Sequence, residues 1–239
     1  MATRSRAGKI EMSALAYTLI PVSAAALGAG VAAIRRPSAA WRSAIQHFAA
    51  GVVFAAAAGE VLPDVLHGKS PIATLVGGAF GVATMLAVKA VEERAKGLFA
   101  ILVAVGIDIF IDGLVLGLAF IGGAKAGLLL TIGLTLEILF LGLTVTEALS
   151  KTLTSKLRVA IATVAIALLL PVGTVVAAPV SLLSPVVISG CLSFGLMALL
   201  YLVTEELLVE AHETADNAWI TGAFFVGFLA LLALEEVMG

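Results

Sequence analysis

Long apolar runs with few or no charged side chains recur along almost the whole chain. About 20 apolar residues let a helix cross the hydrocarbon core of a membrane, and runs of that size lie at approximately 12–34, 42–66, 71–91, 97–121, 126–149, 158–178, 185–211 and 218–237. The sixth and seventh runs are divided where a turn is needed, at Pro179 and Pro185. The sequence therefore predicts an all-α, polytopic membrane protein, with eight transmembrane helices in one transmembrane domain over 1–239 and the lipid bilayer as a partner.

The composition excludes several other classes of protein. Hydrophobic residues make up 61% of the chain and charged residues 13%, whereas charged residues make up about 25% of soluble domains. A net charge of -2 provides no basic surface for a nucleic-acid partner. The only cysteine, Cys191, rules out an intrachain disulfide and a thiolate metal cluster.

The first apolar run and the basic residues predict the orientation. The run from Met12 to Ile34 is long enough to span, so we expect a first transmembrane helix rather than a cleaved signal peptide. Nine of the 14 basic residues lie on the face that holds the loops after the first, third and fifth runs; they are Arg35, Arg36, Arg42, Lys89, Arg94, Lys96, Lys151, Lys156 and Arg158. The positive-inside rule predicts that this face is cytoplasmic and that both termini lie outside. Because no organellar targeting segment is evident, we expect a bacterial inner membrane.

Three acidic residues lie near the middle of the fourth and fifth apolar runs. Asp108 and Asp112 are four residues apart and share one helix face, and Glu137 lies near the midpoint of the next run. A carboxylate at the bilayer centre costs about 2.5 to 3.5 kcal/mol on insertion scales, so such residues are usually functional. Thr144 lies on nearly the same face as Glu137. The three acids are predicted to form a central cation or proton site.

The sequences around the central acids resemble each other. The string from Ile107 to Leu114 and the string from Leu136 to Leu143 both contain an acid followed five residues later by a glycine. Consecutive transmembrane helices run antiparallel. Similar strings on opposed helices therefore indicate an inverted pair around a midplane site, as in many secondary transporters.

Two further acidic sets lie near helix ends. One contains Glu60, Asp64 and His67, and the other contains Glu206, Glu210, His212 and Glu213. They are predicted to form the entrance and the exit of a path through the central site. The alternative for Asp64, His67, Glu210, His212 and Glu213 is that they are ordinary interface residues. For the deeper Glu60 and Glu206, the alternative is a protonated or hydrogen-bonded packing residue. His47 is predicted to be an interfacial histidine.

The predicted ligand chemistry favours a divalent metal as transported substrate. No basic residue is predicted at the depth of the three central acids, so cations or protons must neutralise them. An all-carboxylate centre favours hard or borderline ions such as Mn²⁺, Mg²⁺, Fe²⁺ or Zn²⁺ over Cu(I). No Walker-type nucleotide motif is present, so transport is expected to use gradients, with no prosthetic group.

The chain resembles the ZIP (Zrt-, Irt-like protein) family of metal transporters over nearly its whole length. The resemblance rests on the eight predicted segments, on the sequences from His47 to Asp64 and from Asp108 to Gly113, and on the acidic string from Glu205 to His212, which looks like that family's EELIPEAH. It implies a 3+2+3 inverted-repeat helix bundle, a metal path between the fourth and fifth helices, uptake toward the cytoplasm, and homodimers.

The two central motifs differ from those of the family. Where the family's fourth helix usually reads His-Asn-x-x-Glu-Gly, this chain has Asp108, Ile109, Asp112 and Gly113. Ile109 and Ile138 replace polar residues that often help to form a second metal site in that family. The resemblance implies that Asp108, Asp112 and Glu137 are the central metal ligands, with Glu60, Asp64 and His67 toward the entrance and Glu206, Glu210 and His212 toward the exit.

Three alternatives remain open at this stage. A proton-coupled transporter of organic cations would use the same acids to carry protons. A membrane scaffold or sensor that transports nothing would use them only for packing. An intramembrane enzyme is less favoured, because Asp108 and Asp112 lie on one helix and opposed catalytic acids normally come from two.

Overall fold

The structure is a computed structural model that describes residues 2–34, 38–94, 97–151, 153, 155–213 and 217–238. In this part of the chain, every regular element is helical and eight helices are long and apolar enough to cross a membrane. They are α1 Ala2–Ile34, α2 Ala39–His67, α3 Pro71–Arg94, α4 Leu98–Gly122, α5 Ala124–Ser150, α6 Lys156–Leu182, α7 Pro185–Ala211 and α8 Ala218–Met238. The prediction of an all-α, multi-pass membrane protein is confirmed.

The helix ends extend beyond several predicted apolar runs. Helix α1 begins at Ala2, ten residues before the predicted run, because backbone hydrogen bonding can continue past the membrane surface. The turn between α6 and α7 lies where prolines predicted it: Pro179 is in a 3₁₀ segment, Ala178–Leu182, and Pro185 opens α7. Of the basic residues used for the orientation, Arg35, Arg36 and Lys96 lie outside the described residues.

The helices pack in two groups of four. In one group α1 packs on α5 and α4 on α6, with α4 and α5 in contact; in the other α2 packs on α8 and α3 on α7, with α2 and α7 in contact. Glycines allow the close approach within the first group. The space of a glycine Cβ is filled by a neighbouring backbone in four pairs, Gly28 with Leu139, Gly142 with Ala25, Gly113 with Leu170, and Gly173 with Phe110.

Burial identifies α5 as the central helix. Its most apolar 18-residue window is 61% buried, whereas those of α3 and α8 are only 17% buried. Large apolar side chains point outward from the two peripheral helices, including Leu75, Phe80 and Leu229. A soluble domain rarely exposes so much apolar surface, and lipid contact explains it. The second group therefore reaches the bilayer through α3 and α8.

Two of the helices contain π-helical segments that the sequence did not predict. In α2 the segment is Ala57–Val61, and in α7 it is Leu202–Leu207. Pro63 follows the first segment; it lacks the N–H that would bond to the Gly59 carbonyl, and its ring crowds that carbonyl. The segments carry Glu60, Glu205 and Glu206, and π-helical turns are often found at functional sites.

Candidate cation site

The structure brings the three predicted central acids together. One carboxylate oxygen from each of Asp108, Asp112 and Glu137 lies within 4.8 Å of the others. Asp112 and Glu137 are each only 5% exposed, and Asp108 is partly buried. Because α4 contributes two of the side chains and α5 the third, the cluster spans the contact between these helices.

Glycines near the acids allow α4 and α5 to approach their neighbouring helices closely. Gly113, which follows Asp112, packs against the backbone of Leu170 in α6. The Thr174 hydroxyl donates hydrogen bonds to the Gly113 carbonyl at 2.9 Å and to the Leu170 carbonyl at 3.1 Å. On α5, Gly142 lies one turn beyond Glu137 and packs against Ala25 of α1. The outer helices α1 and α6 therefore support the helices that carry the acids.

Two of the three central carboxylates each have one oxygen without a protein donor among the described residues. Oδ2 of Asp112 and Oε2 of Glu137 are buried and accept no hydrogen bond from the described residues. Burying anionic oxygens without partners is strongly unfavourable. Metal–oxygen distances of about 2.0 to 2.6 Å let opposed ligands stand about 4 to 5 Å apart. The donor set and its spacing therefore fit a single hard or borderline cation.

A cavity of about 320 Å³ connects the central acids to one end of the bundle. Asp108 and Glu137 line its deep part, and Thr144 lies between them and the mouth. Glu206 and Glu210 of α7 also line it. The predicted exit acids Glu206 and Glu210 and two of the central acids therefore line one cavity.

Polar contacts at this mouth join α2 to α7. Gln46 Nε2 donates to Glu210 Oε2 at 2.5 Å, and the Ser43 hydroxyl donates to the Ala211 carbonyl at 2.7 Å. The ring of His47 stands 4.9 Å from that of His212, centroid to centroid, in an edge-on arrangement. His47 is 1% exposed and lies beside His212, so it is a buried residue of a histidine pair and not a lone histidine, while its place at the membrane interface stays a prediction.

The predicted entrance residues lie at the opposite end of α5 and do not form one cluster. Glu60 Oε1 is 3.2 Å from Nζ of Lys125, and that ammonium is 3.7 Å from Oε1 of Glu235. The Asp64 carboxylate lies against Gly122 at the end of α4. His67 is exposed on the last turn of α2.

The sequence interpretation did not assign to the path four polar residues that lie toward the two ends of α5. Gln46 lines the cavity and Lys125 pairs with Glu60, while Glu235 and the buried His47 lie beside other predicted residues. Gln46 and His47 are polar residues inside an apolar run, which is a detectable signal. Lys125 and Glu235 gave no such signal, because charged residues are ordinary at helix ends.

The cavity predicts selective chemical access. In a Cys191→Ala background, a Thr144→Cys variant in nanodiscs should react readily with a charged, water-soluble thiol reagent, since Thr144 lines the cavity. The matched control is Thr131→Cys, on the same helix at a side chain that is 1% exposed; it should react far more slowly. Mass spectrometry of the labelled protein measures both rates. Equal rates would show that the cavity is not open to water.

The chain matches no protein-family model, and no curated protein matches its sequence.

Proposed function

We propose that this protein is a ZIP-like permease for divalent metal cations, moving Zn²⁺, Mn²⁺, Fe²⁺ or a similar ion toward the cytoplasm. The observation that carries the proposal is the convergence of Asp108, Asp112 and Glu137 at the deep end of a carboxylate-lined cavity. Buried acids with unsatisfied oxygens need a cation or a proton. Asp108 and Glu137 line the cavity, which gives a bound cation a route away from the site.

The packing supports the 3+2+3 inverted-repeat arrangement that belongs to this proposal. When α1, α2, α3 and α4 are exchanged with α6, α7, α8 and α5, respectively, the four most extensive helix contacts map onto one another: α1–α5 onto α6–α4, and α2–α8 onto α7–α3. The close glycine contacts correspond residue by residue. Gly113 against Leu170 corresponds to Gly142 against Ala25, and Gly81 against Phe194 corresponds to Gly227 against Phe48.

The same exchange of helices also relates acidic residues and π-helical segments to each other. The exchange of α4 and α5 that relates Gly113 to Gly142 also relates Asp108 to Glu137, and the π-helical segments of α2 and α7 correspond to each other. A site at the centre of an inverted repeat can face each side of a membrane in turn. In this proposal the permease lies in a bacterial inner membrane with both termini outside and acts as a homodimer, and its acids bind the cargo rather than catalyse a reaction.

An uptake assay tests the proposal. The parent protein and an Asp108→Ala/Asp112→Ala variant are reconstituted into proteoliposomes, and entry of Mn²⁺, Fe²⁺, Zn²⁺ and Cd²⁺ is measured. We expect saturable uptake by the parent and none above empty vesicles by the variant, because two of the three central ligands are gone. Size-exclusion chromatography verifies that both proteins are folded.

The same assay separates the alternatives. Transport of an organic cation without metal competition would identify the proton-coupled organic-cation transporter. Absence of all transport, with the central acids affecting only folding, would favour a scaffold or sensor. Equal metal uptake by parent and variant would disprove the central site.

A further inference from the structure

Lys125 lies at the end of α5 opposite the cavity, the end at which the proposed function puts the entrance of the path. It is the second residue of α5, and its ammonium contacts Glu60 on the π-helical turn of α2 and Glu235 near the end of α8. The side chains of Glu60, Glu235 and Lys125 are 15%, 22% and 33% exposed. These side chains are less exposed than those of the Lys89–Glu205 ion pair, at 38% and 47%, so solvent screens the contact only partly.

Packing holds the two carboxylates next to each other. The Glu235 carboxylate lies against Gly59, where a side-chain Cβ would stand 2.6 Å from Oε2. Glu60, the next residue, points to the same ammonium. Helix α5 belongs to one group of four helices, and α2 and α8 belong to the other. The ion pairs of Lys125 therefore join the two groups across this mouth.

The charges of this cluster do not balance. Two carboxylates and one ammonium carry a net charge of -1 when all are ionised. A divalent cation that replaced the ammonium would bring the carboxylate pair to neutrality, whereas Na⁺ or K⁺ would leave it at -1 and gain nothing over the lysine already there. The long, flexible lysine stem lets the ammonium move into water when a stronger competitor arrives.

We propose that Lys125 is a specificity-determining residue of the outer mouth, a tethered cation that occupies the Glu60–Glu235 pair and is displaced by divalent but not by monovalent ions. This proposal rests on the proposed function, because it assigns the selectivity of the same path. A tethered competitor is present at high local concentration, so it lowers the apparent affinity for every cation and excludes those that bind weakly.

Displacement of the lysine can be measured without transport. The full chain in nanodiscs is treated briefly with a water-soluble amine-acylating reagent, and acetylation of each lysine is quantified by mass spectrometry. An ammonium held by two carboxylates reacts slowly. We expect Mn²⁺ to increase acetylation of Lys125 saturably, and NaCl of the same ionic strength to leave it unchanged. The exposed Lys69, on the same side, is the internal control. No response of Lys125 to Mn²⁺, or an equal response to NaCl, would overturn the proposal.

Uptake by variants provides the second arm. In Lys125→Met the KM for Mn²⁺ should fall by about tenfold, as expected if the ion pair leaves the acids accessible about a tenth of the time. Excess Na⁺ should inhibit this variant and not the parent. Lys125→Arg should behave as the parent does, and Lys69→Met is the matched control. Gly59→Ala, which displaces Glu235 without changing any charge, should shift KM in the same direction. Unchanged KM and unchanged Na⁺ response in folded Lys125→Met would overturn the proposal.

The two arms keep this proposal distinct from the proposed function. If Mn²⁺ releases Lys125 but the parent transports no metal, the permease proposal fails and the displaceable lysine stands. If the parent transports Mn²⁺ and Lys125 does not respond, only the role of Lys125 fails.

Discussion

Replacing Asp112 with asparagine or Glu137 with glutamine is expected to abolish divalent-cation binding and uptake while making the metal-free protein more stable. Both carboxylates are buried and share a space with Asp108. Changes to residues that merely support a metal ligand typically lower affinity 10- to 100-fold, so removing a ligand should lower it by on the order of 100-fold or more. The loss comes from the missing anionic oxygen, since the amide keeps the size of the side chain.

The gain in stability comes from removing one of the crowded negative charges. Like charges in a poorly hydrated space repel one another, and an amide can donate a hydrogen bond to the remaining carboxylate. We expect each variant to be more stable than the metal-free parent by about 1 to 2 kcal/mol, within the range found when a functional but unfavourable group is removed. If these residues served only for packing, their substitution would make the protein less stable.

Thermal unfolding with and without Mn²⁺ measures both effects. A ligand at 100 times its Kd stabilises the folded state by about 2.7 kcal/mol, so the parent should show a clear increase in Tm with metal. Asp112→Asn and Glu137→Gln should begin at a higher Tm and show no increase. The matched control is Glu236→Gln, an exposed position near the end of α8, which should behave as the parent does. A normal metal response in Glu137→Gln would contradict the assignment of Glu137 as a ligand.

The second large effect is expected from alanine at the glycines of the helix contacts. In Gly113→Ala and Gly173→Ala the new Cβ would overlap a backbone oxygen, of Leu170 and of Phe110 respectively. Backbone cannot rotate aside as a long side chain can, so α4 and α6 must move apart. Overpacking of this kind typically costs about 1 to 3 kcal/mol. Gly113 is next to Asp112, so its substitution should also weaken Mn²⁺ binding.

Two other glycines are matched controls for this experiment. No atom of the described residues lies within 4 Å of the Cβ position of Gly30 or Gly222. Alanine is favoured over glycine within a helix by about 0.5 to 1 kcal/mol, so Gly30→Ala and Gly222→Ala should be neutral or slightly stabilising. Tm in detergent and Mn²⁺ titration compare the four variants. If all four variants show the same change in Tm and in Mn²⁺ affinity, the effect of alanine comes from helix propensity and not from close packing.

The helices could be predicted from the sequence because hydropathy is a local property. Each apolar run is long enough to span by itself, and prolines marked the break between α6 and α7. The central acids were recognisable for a similar reason, since a carboxylate deep in an apolar run has few explanations other than function. The i, i+4 spacing of Asp108 and Asp112 also assigned them to one helix face without tertiary information.

Contacts between distant segments could not be predicted in the same way. Glu60, Lys125 and Glu235 lie on three helices, and each alone resembles an ordinary charged residue at a membrane surface. The burial of His47 depends on how the end of α7 lies over α2. The π-helical segments depend on small changes in hydrogen bonding that hydropathy does not record.

By itself, the sequence determined that this chain forms eight apolar helices, and it identified the three acids near their middle, because length, hydropathy and side-chain spacing act within a single helix. Only the tertiary structure decided that Glu137 lies close to Asp112, that a cavity lined partly by α7 reaches Asp108 and Glu137, and that Lys125 lies between two glutamates at the opposite end of α5. Those arrangements follow from which helix faces pack together, and close contacts at glycines such as Gly113 and Gly142 determine that packing.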